Sequence, residues 1–159
     1  MGALKVGSKT PDFTGTDYEE MEISNEDLLG TPYVLYFYPK DDTPGCTKEA
    51  CSFRDTLDSF DDLSIQVLGV SPDNADSHIA FAEKHDLDFP LICDENMELA
   101  KKFGATEEKD VDGKKKTVMV RTTFLIDSEG KIRWVEQPVN VDGHVDRILE
   151  AIEKEHLSV

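Results

Sequence analysis

Two cysteines five residues apart, Cys46 and Cys51, are the side chains of this chain best suited to chemistry, because the residues before them fix where the first thiol stands. The string Thr43-Pro44-Gly45-Cys46 follows the apolar run Tyr33 to Tyr38, which Pro39 closes. A β-branched and aromatic run of that length predicts a buried strand, and a helix must then begin near Thr43. Thr43 suits the N-cap and Pro44 the first helical position, where a missing N–H costs nothing. Cys46 then falls at the third helical position, among backbone donors that the helix leaves unpaired. The thiolate is the nucleophilic form of cysteine, and a helix N-terminus or a neighbouring cation favours it. The chemistry expected here is attack by sulfur.

From Cys46 the apolar positions Ala50, Phe53, Leu57 and Phe60 recur at helical spacing, so Cys46 shares the core-facing side of a helix predicted over 44–60. Burial there opposes a thiolate, and Asp41, Asp42 and Glu49 add repulsion, so a cation from elsewhere in the chain is required. Arg121 is the candidate. Cys51 lies five helical steps on, roughly 140° around the axis and 7.5 Å along it. That places the two Cα atoms roughly 8 to 9 Å apart, whereas a disulfide needs about 4.4 to 6.8 Å. A Cys46–Cys51 bond therefore requires the first turns to unwind, a local order-to-disorder step. Two cysteines in one helix are also compatible with plain core filling. The capped helix start and the position of Cys51 off the apolar stripe weigh against that.

Pro39, Thr43 and Cys46 stand in a P-x-x-x-T-x-x-C pattern which, together with Arg121 in Arg-Thr-Thr-Phe-Leu-Ile-Asp, resembles the active-site set of the peroxiredoxins. The longer string Tyr36-Phe37-Tyr38-Pro39-Lys40 through Thr43 to Cys51 resembles the bacterioferritin comigratory, or Q-type, subgroup, and the similarity runs over nearly the whole chain. The resemblance implies a thiol peroxidase on a thioredoxin-like fold, acting on hydrogen peroxide and alkyl hydroperoxides without a cofactor or metal. It implies that Cys46 is the peroxidatic cysteine, that Pro39, Thr43 and Arg121 shape the peroxide pocket, and that Cys51 is the resolving cysteine. Thioredoxin or a similar dithiol is the implied reductant. Chemically, a sulfenic acid at Cys46 is the first, reversible rung of cysteine oxidation, and a second thiol condenses with it to a disulfide. Two other functions fit a reactive cysteine pair: a thiol–disulfide oxidoreductase acting on protein disulfides, and a non-enzymatic binding module that responds to oxidation. The first is better served by Cys-x-x-Cys than by the four residues that separate Cys46 from Cys51.

Other candidate residues have plainer readings. Cys93 ends the run Phe89 to Cys93 and is expected to fill the core beneath a short strand. His78, His85, His144 and His156 are scattered over predicted helices without the close Cys/His spacing of a structural zinc site. The triplet Lys114 to Lys116 lies among Glu107, Glu108, Asp110 and Asp112 and predicts a solvated loop over 106–116.

The 159 residues suffice for one domain that needs no disulfide staples. Seventeen Lys and Arg against 34 Asp and Glu give a formal charge of −17, which opposes binding to nucleic acid or an anionic membrane surface. It also disfavours tight self-association, so a monomer, or at most a weak dimer, is expected. Neither a signal-like leader nor a membrane-length apolar run is visible, and three cysteines form no paired framework, which together predict a cytoplasmic protein. Short strands are expected around a Gly15-Thr16 turn, then a brief helix over 24–28, strands at 33–38 and 64–70, and a helix from Asp73 or Asn74 to about His85. A strand over 91–93, a helix capped by Asp94 and ended by Gly104, a hairpin over 118–126 and 132–136, and a last helix from Asp142 complete the chain. Alternating strands and helices followed by a hairpin and a helix imply an α/β three-layer sandwich on a mixed sheet, for which the thioredoxin-like fold is the best match.

Overall fold

The computed structural model describes residues 2–157. Its centre is a five-stranded sheet in which β3 (Tyr33–Phe37), fully buried along its length, is the middle strand. On one side β4 (Gln66–Ser71) and β5 (Leu91–Cys93) run parallel to β3. On the other, β8 (Thr122–Ile126) runs antiparallel to β3 and β9 (Ile132–Glu136) antiparallel to β8, so the order is β5-β4-β3-β8-β9. A strand buried on both faces has to be apolar throughout rather than alternating, and Tyr33-Val34-Leu35-Tyr36-Phe37 is. Its even residues Val34 and Tyr36 point into a core shared with Ala50, Phe53, Phe81 and Ile148. Its odd residues Tyr33, Leu35 and Phe37 point into a second core with Phe103, Phe124 and Ile132. The helices supply the outer layers: α1 (Pro44–Asp55), α2 (Leu57–Asp62), α3 (Ala75–His85) and α5 (His144–Lys154) contribute to the first core, and α4 (Glu98–Phe103) to the second. The α/β three-layer arrangement with a mixed sheet is the one expected.

Several local expectations require correction. The predicted helix over 44–60 is two helices, broken at Thr56, whose hydroxyl donates to the Ser52 carbonyl 2.7 Å away instead of leaving the backbone ladder undisturbed. Gly15 lies inside β1 (Thr14–Thr16), not in a turn; a Cβ there would stand 2.7 Å from the Ile92 side chain, so glycine serves a close approach. The turn to β2 (Glu22–Ser24) follows Asp17, whose carboxylate accepts from the N–H groups of Glu19 and Met21 at 2.8 and 3.0 Å. Residues 25–30 are turns rather than a helix. The charged stretch predicted as a loop is a hairpin, β6 (Thr106–Val111) and β7 (Lys114–Met119), in register from Thr106 opposite Met119 to Val111 opposite Lys114. Asn74 accepts from Ser77 N at 2.9 Å and caps α3, and the Asp94 carboxylate holds the N–H groups of Leu99 and Ala100 at the start of α4. The last helix begins at His144, two residues later than expected, with Asp142 before it.

Candidate active site

The strand end of β3 and the first turn of α1 build the site. Thr43 has the extended backbone of an N-cap, with φ −91° and ψ 155°, and Pro44 occupies the first helical turn, so Cys46 is the third helical residue. Thr43 caps through its backbone alone. Its hydroxyl instead donates to the Lys40 carbonyl at 2.9 Å, which leaves the oxygen lone pairs free to accept. Pro39 is exposed in the connection between β3 and α1. The Cys46 side chain is 1% exposed and belongs to the apolar core with Ala50, Phe53 and Phe60, as the helical stripe predicted. Cys51 is half-buried on the same unbroken helix, and both thiols are free.

Arg121 enters from the residue just before β8. Its guanidinium donates to Glu49 Oε1 at 2.9 Å and faces the Cys46 sulfur; burial alone would lower the Arg121 pKa, but the Glu49 carboxylate and then Cys46 outweigh it and raise it. Gly45 makes the approach feasible, because a Cβ on it would lie 3.0 Å from Arg121 Nη2. The sequence therefore brings the cation to the thiol by removing a side chain from the helix between them. Arg121 and Cys46 come together; Thr43 is the N-cap three residues before Cys46, and Pro39 lies in the same connection between β3 and α1.

Sequence reasoning misjudged Glu49. Glu49 is fully buried, and it is not a source of repulsion alone but the partner that orients Arg121. Burial pushes its carboxyl up to about 7, with Arg121 opposing the rise. The signal was available: Glu49 sits three residues after Cys46 and four before Phe53, on the apolar stripe, where a carboxylate needs a partner. Its second oxygen lies 3.3 Å from Nδ1 of His144, a histidine that is buried against the edge of the Phe53 ring, 5.5 Å between centroids.

Beneath the loop that carries Thr43 is a second polar cluster. Asp41 accepts from the Tyr38 hydroxyl at 2.6 Å and the Ser77 hydroxyl at 2.8 Å, and its Oδ2 meets His78 Nδ1 at 2.7 Å. Its own N–H donates to Asp73 at 2.7 Å. Asp41, Asp73 and His78 are close enough to suggest cation ligands, yet the facing atoms already bond to protein groups, and the cluster serves to pin the active-site loop to α3. His85 pairs with Asp42, and His156 is exposed. Cys93 does not fill the core as expected: it is half-buried at the end of β5, opposite Ser71, and burial with nearby Glu95 and Asp17 pushes its thiol up to about 11. No helix among the described residues is long and apolar enough to cross a membrane.

Comparison with known proteins identifies the family and the fold. The sequence profile of the AhpC/TSA family matches residues 6–135. The putative peroxiredoxin bcp of Coxiella burnetii is 46% identical over 148 residues, 92% of this chain and 97% of that protein. Peroxiredoxin Bcp of Bacillus subtilis is 42% identical over 151 residues, 94% of this chain and 95% of the relative. Among solved structures, Xanthomonas campestris peroxiredoxin Q superposes with a TM-score of 0.87 at 35% identity, covering 95% of this chain and 96% of that one. Bacterioferritin comigratory protein from the same organism, described for its alkyl peroxide reduction activity, gives a TM-score of 0.88 at 34% identity over 98% of this chain and 99% of that one. With the family profile and relatives matched over nearly their whole length in agreement, the chain belongs to the AhpC/TSA family, as a peroxiredoxin of the Bcp or Q kind.

Proposed function

We infer that this protein is a thiol peroxidase in which Cys46 attacks peroxide and Cys51 resolves the product. The carrying observation is Cys46 at the third position of α1, buried, with Arg121 turned toward its sulfur by Glu49. As the Cys46 sulfur bonds to one peroxide oxygen, the O–O bond breaks and sulfur loses two electrons. The other oxygen departs as hydroxide or alkoxide and takes up a proton. Charge moves from sulfur toward that leaving oxygen, so fixed donors along the line stabilise the transition state more than the ground state. Arg121 and the Cys46 backbone N–H supply them. Because the Thr43 proton is committed to the Lys40 carbonyl, its oxygen is left to accept from the peroxide O–H and hold the substrate in line. Pro39 closes the mouth of the pocket.

The sulfenic acid at Cys46 then condenses with Cys51: the S–O bond breaks, an S–S bond forms, and water leaves with the Cys51 proton. Both cysteines lie within one continuous helix, so the residues between them unwind for this step. A dithiol, for which thioredoxin is the proposed carrier, reduces the disulfide and returns two thiols. The substrates proposed are hydrogen peroxide and alkyl hydroperoxides. Thr43, Arg121 and Pro39 are pocket residues in this reading, with the chain acting as a single monomeric domain in a reducing cytoplasm.

Replacing Cys46 by Ser is expected to abolish peroxide consumption. Cys51→Ser is expected to preserve the first oxidation and to trap Cys46 as sulfenic, then sulfinic acid, read by mass spectrometry. Normal turnover of Cys51→Ser with thioredoxin overturns the resolving role. Insulin reduction in the absence of peroxide would instead indicate a disulfide oxidoreductase.

A further inference from the structure

Glu49 stands between the two reactive cysteines, in the segment that has to unwind, while His144 stands on α5, which Val145, Ile148 and Ile152 anchor in the core. Both side chains are wholly buried. Glu49 Oε2 and both ring nitrogens of His144 have no hydrogen-bond partner, and Oε2 and Nδ1 face each other at 3.3 Å. Buried polar atoms are rarely left so. Two groups in this state, one a proton acceptor as carboxylate and the other as imidazole, stand beside each other, and a single proton suffices for the contact.

We propose that His144 is a positioning residue of the peroxidatic turn that acts through Glu49: as the turn unwinds to carry Cys46 to Cys51, the proton that Glu49 holds in the wound form passes to His144. The inference rests on the reading of Cys51 as the resolving thiol. Burial raises the Glu49 carboxyl to about 7 and lowers His144 to about 4, so between about pH 4.5 and 6.5 the wound form keeps mainly an uncharged acid beside an uncharged imidazole. Other charges face the pair from each packed element. Arg121 approaches from the start of β8, Glu136 from β9 and Arg147 from α5, while Cys46 lies one turn earlier on α1 and the Tyr36 hydroxyl on β3. Once Glu49 swings into water its acid regains an ordinary carboxyl pKa, and His144, with the vacated space open to solvent, regains an ordinary imidazole one. The wound and unwound forms then contain the same number of protons between about pH 4.5 and 6.5, and the conformational step is insensitive to pH across that window.

The linkage has a sign for each partner alone. With Glu49 but no His144, unwinding releases a proton and becomes easier as pH rises. With His144 but no Glu49, unwinding takes up a proton and becomes harder as pH rises. The test compares disulfide formation in wild type, His144→Leu, His144→Asn and Glu49→Gln full-length proteins after one equivalent of hydrogen peroxide, by acid quench and mass spectrometry, between about pH 5 and 6.5. Each variant rate is divided by the wild-type rate at the same pH, which removes any pH dependence common to all four proteins. The expected ratio rises by up to about tenfold per pH unit for both His144 variants and falls by up to about tenfold per unit for Glu49→Gln. Asn and Leu are both included because neither titrates; a single folded one suffices. Ratios that do not change with pH, while the disulfide forms normally in wild type, overturn this inference alone. Absence of a Cys46–Cys51 disulfide in the wild type overturns the resolving role and this inference with it.

Discussion

Replacing Arg121 by Met removes the guanidinium while keeping an unbranched side chain of similar length, and two consequences can be separated from the structure. The first is kinetic. Arg121 is the side-chain cation turned toward Cys46, and loss of one preorganised donor at a developing anion costs about 10²- to 10³-fold in rate, or roughly 2.7–4 kcal/mol. The second is the effect on folding. Removing one partner of a buried ion pair ordinarily strands a charge at roughly 3–5 kcal/mol. Glu49 differs, because with its carboxyl pushed up to about 7 it is near half-protonated at neutral pH, and Arg121 is what holds it down. Without Arg121 it takes a proton instead of remaining charged. The expected loss of stability is then only about 1–3 kcal/mol, that of a hydrogen bond to a charged group. Stopped-flow oxidation of Cys46 by hydrogen peroxide reads the first effect and urea unfolding at pH 7 the second. Adding Glu49→Gln to Arg121→Met removes the cost of keeping that carboxyl protonated at pH 7, so it is expected to recover roughly 3 kcal/mol of stability and to leave the rate low. Oxidation of Arg121→Met within about threefold of wild type would refute the donor role.

Gly45→Ala puts a Cβ 3.0 Å from Arg121 Nη2 and is expected to lower the peroxide oxidation rate about tenfold while leaving the helix folded, because Ala is the better helix former; unchanged kinetics would show that the guanidinium gives way freely. Asp41→Ala leaves the Tyr38 and Ser77 hydroxyls and His78 Nδ1 without their acceptor, and is expected to cost about 3 kcal/mol in urea unfolding. The pH dependence follows from Glu49: its folded pKa is raised, so the stability it contributes is full below about 4.5 and is lost as pH rises through about 7. Glu49→Gln therefore gains on wild type by on the order of 3 kcal/mol across that interval, measured as the difference between the two unfolding curves.

The parts of this architecture that could be read from the sequence are those where one physical constraint acts alone. The Thr43-Pro44-Gly45 entry fixed the register of Cys46 because a cap and a proline each tolerate one helical position. Strand β3 was legible because a strand buried on both faces must be apolar at every residue. The hairpin over 106–119 was not, since β6 and most of β7 are exposed and charged on both sides, without an alternating pattern to detect. Glu49 was visible as a charge on the buried stripe, but its partners Arg121 and His144 lie 72 and 95 residues away and only the folded sheet brings them to it. Cys93 was misplaced because an apolar run predicts burial of the strand and not of its last residue, where β5 meets the loop.

The excursion formed by β6 and β7 ends two residues before Arg121, and its base is fastened where the Val120 N–H donates to the Ala105 carbonyl at 2.8 Å. Each arm has six residues, which at the rise of an extended chain sets the Asp112-Gly113 apex roughly 20 Å from that fastening. Cargo grafted at the apex, such as a fluorophore or an affinity peptide, would be insulated from Arg121 by a closed hydrogen-bonded base. The arms offer a natural handle for immobilising the enzyme with its chemistry intact.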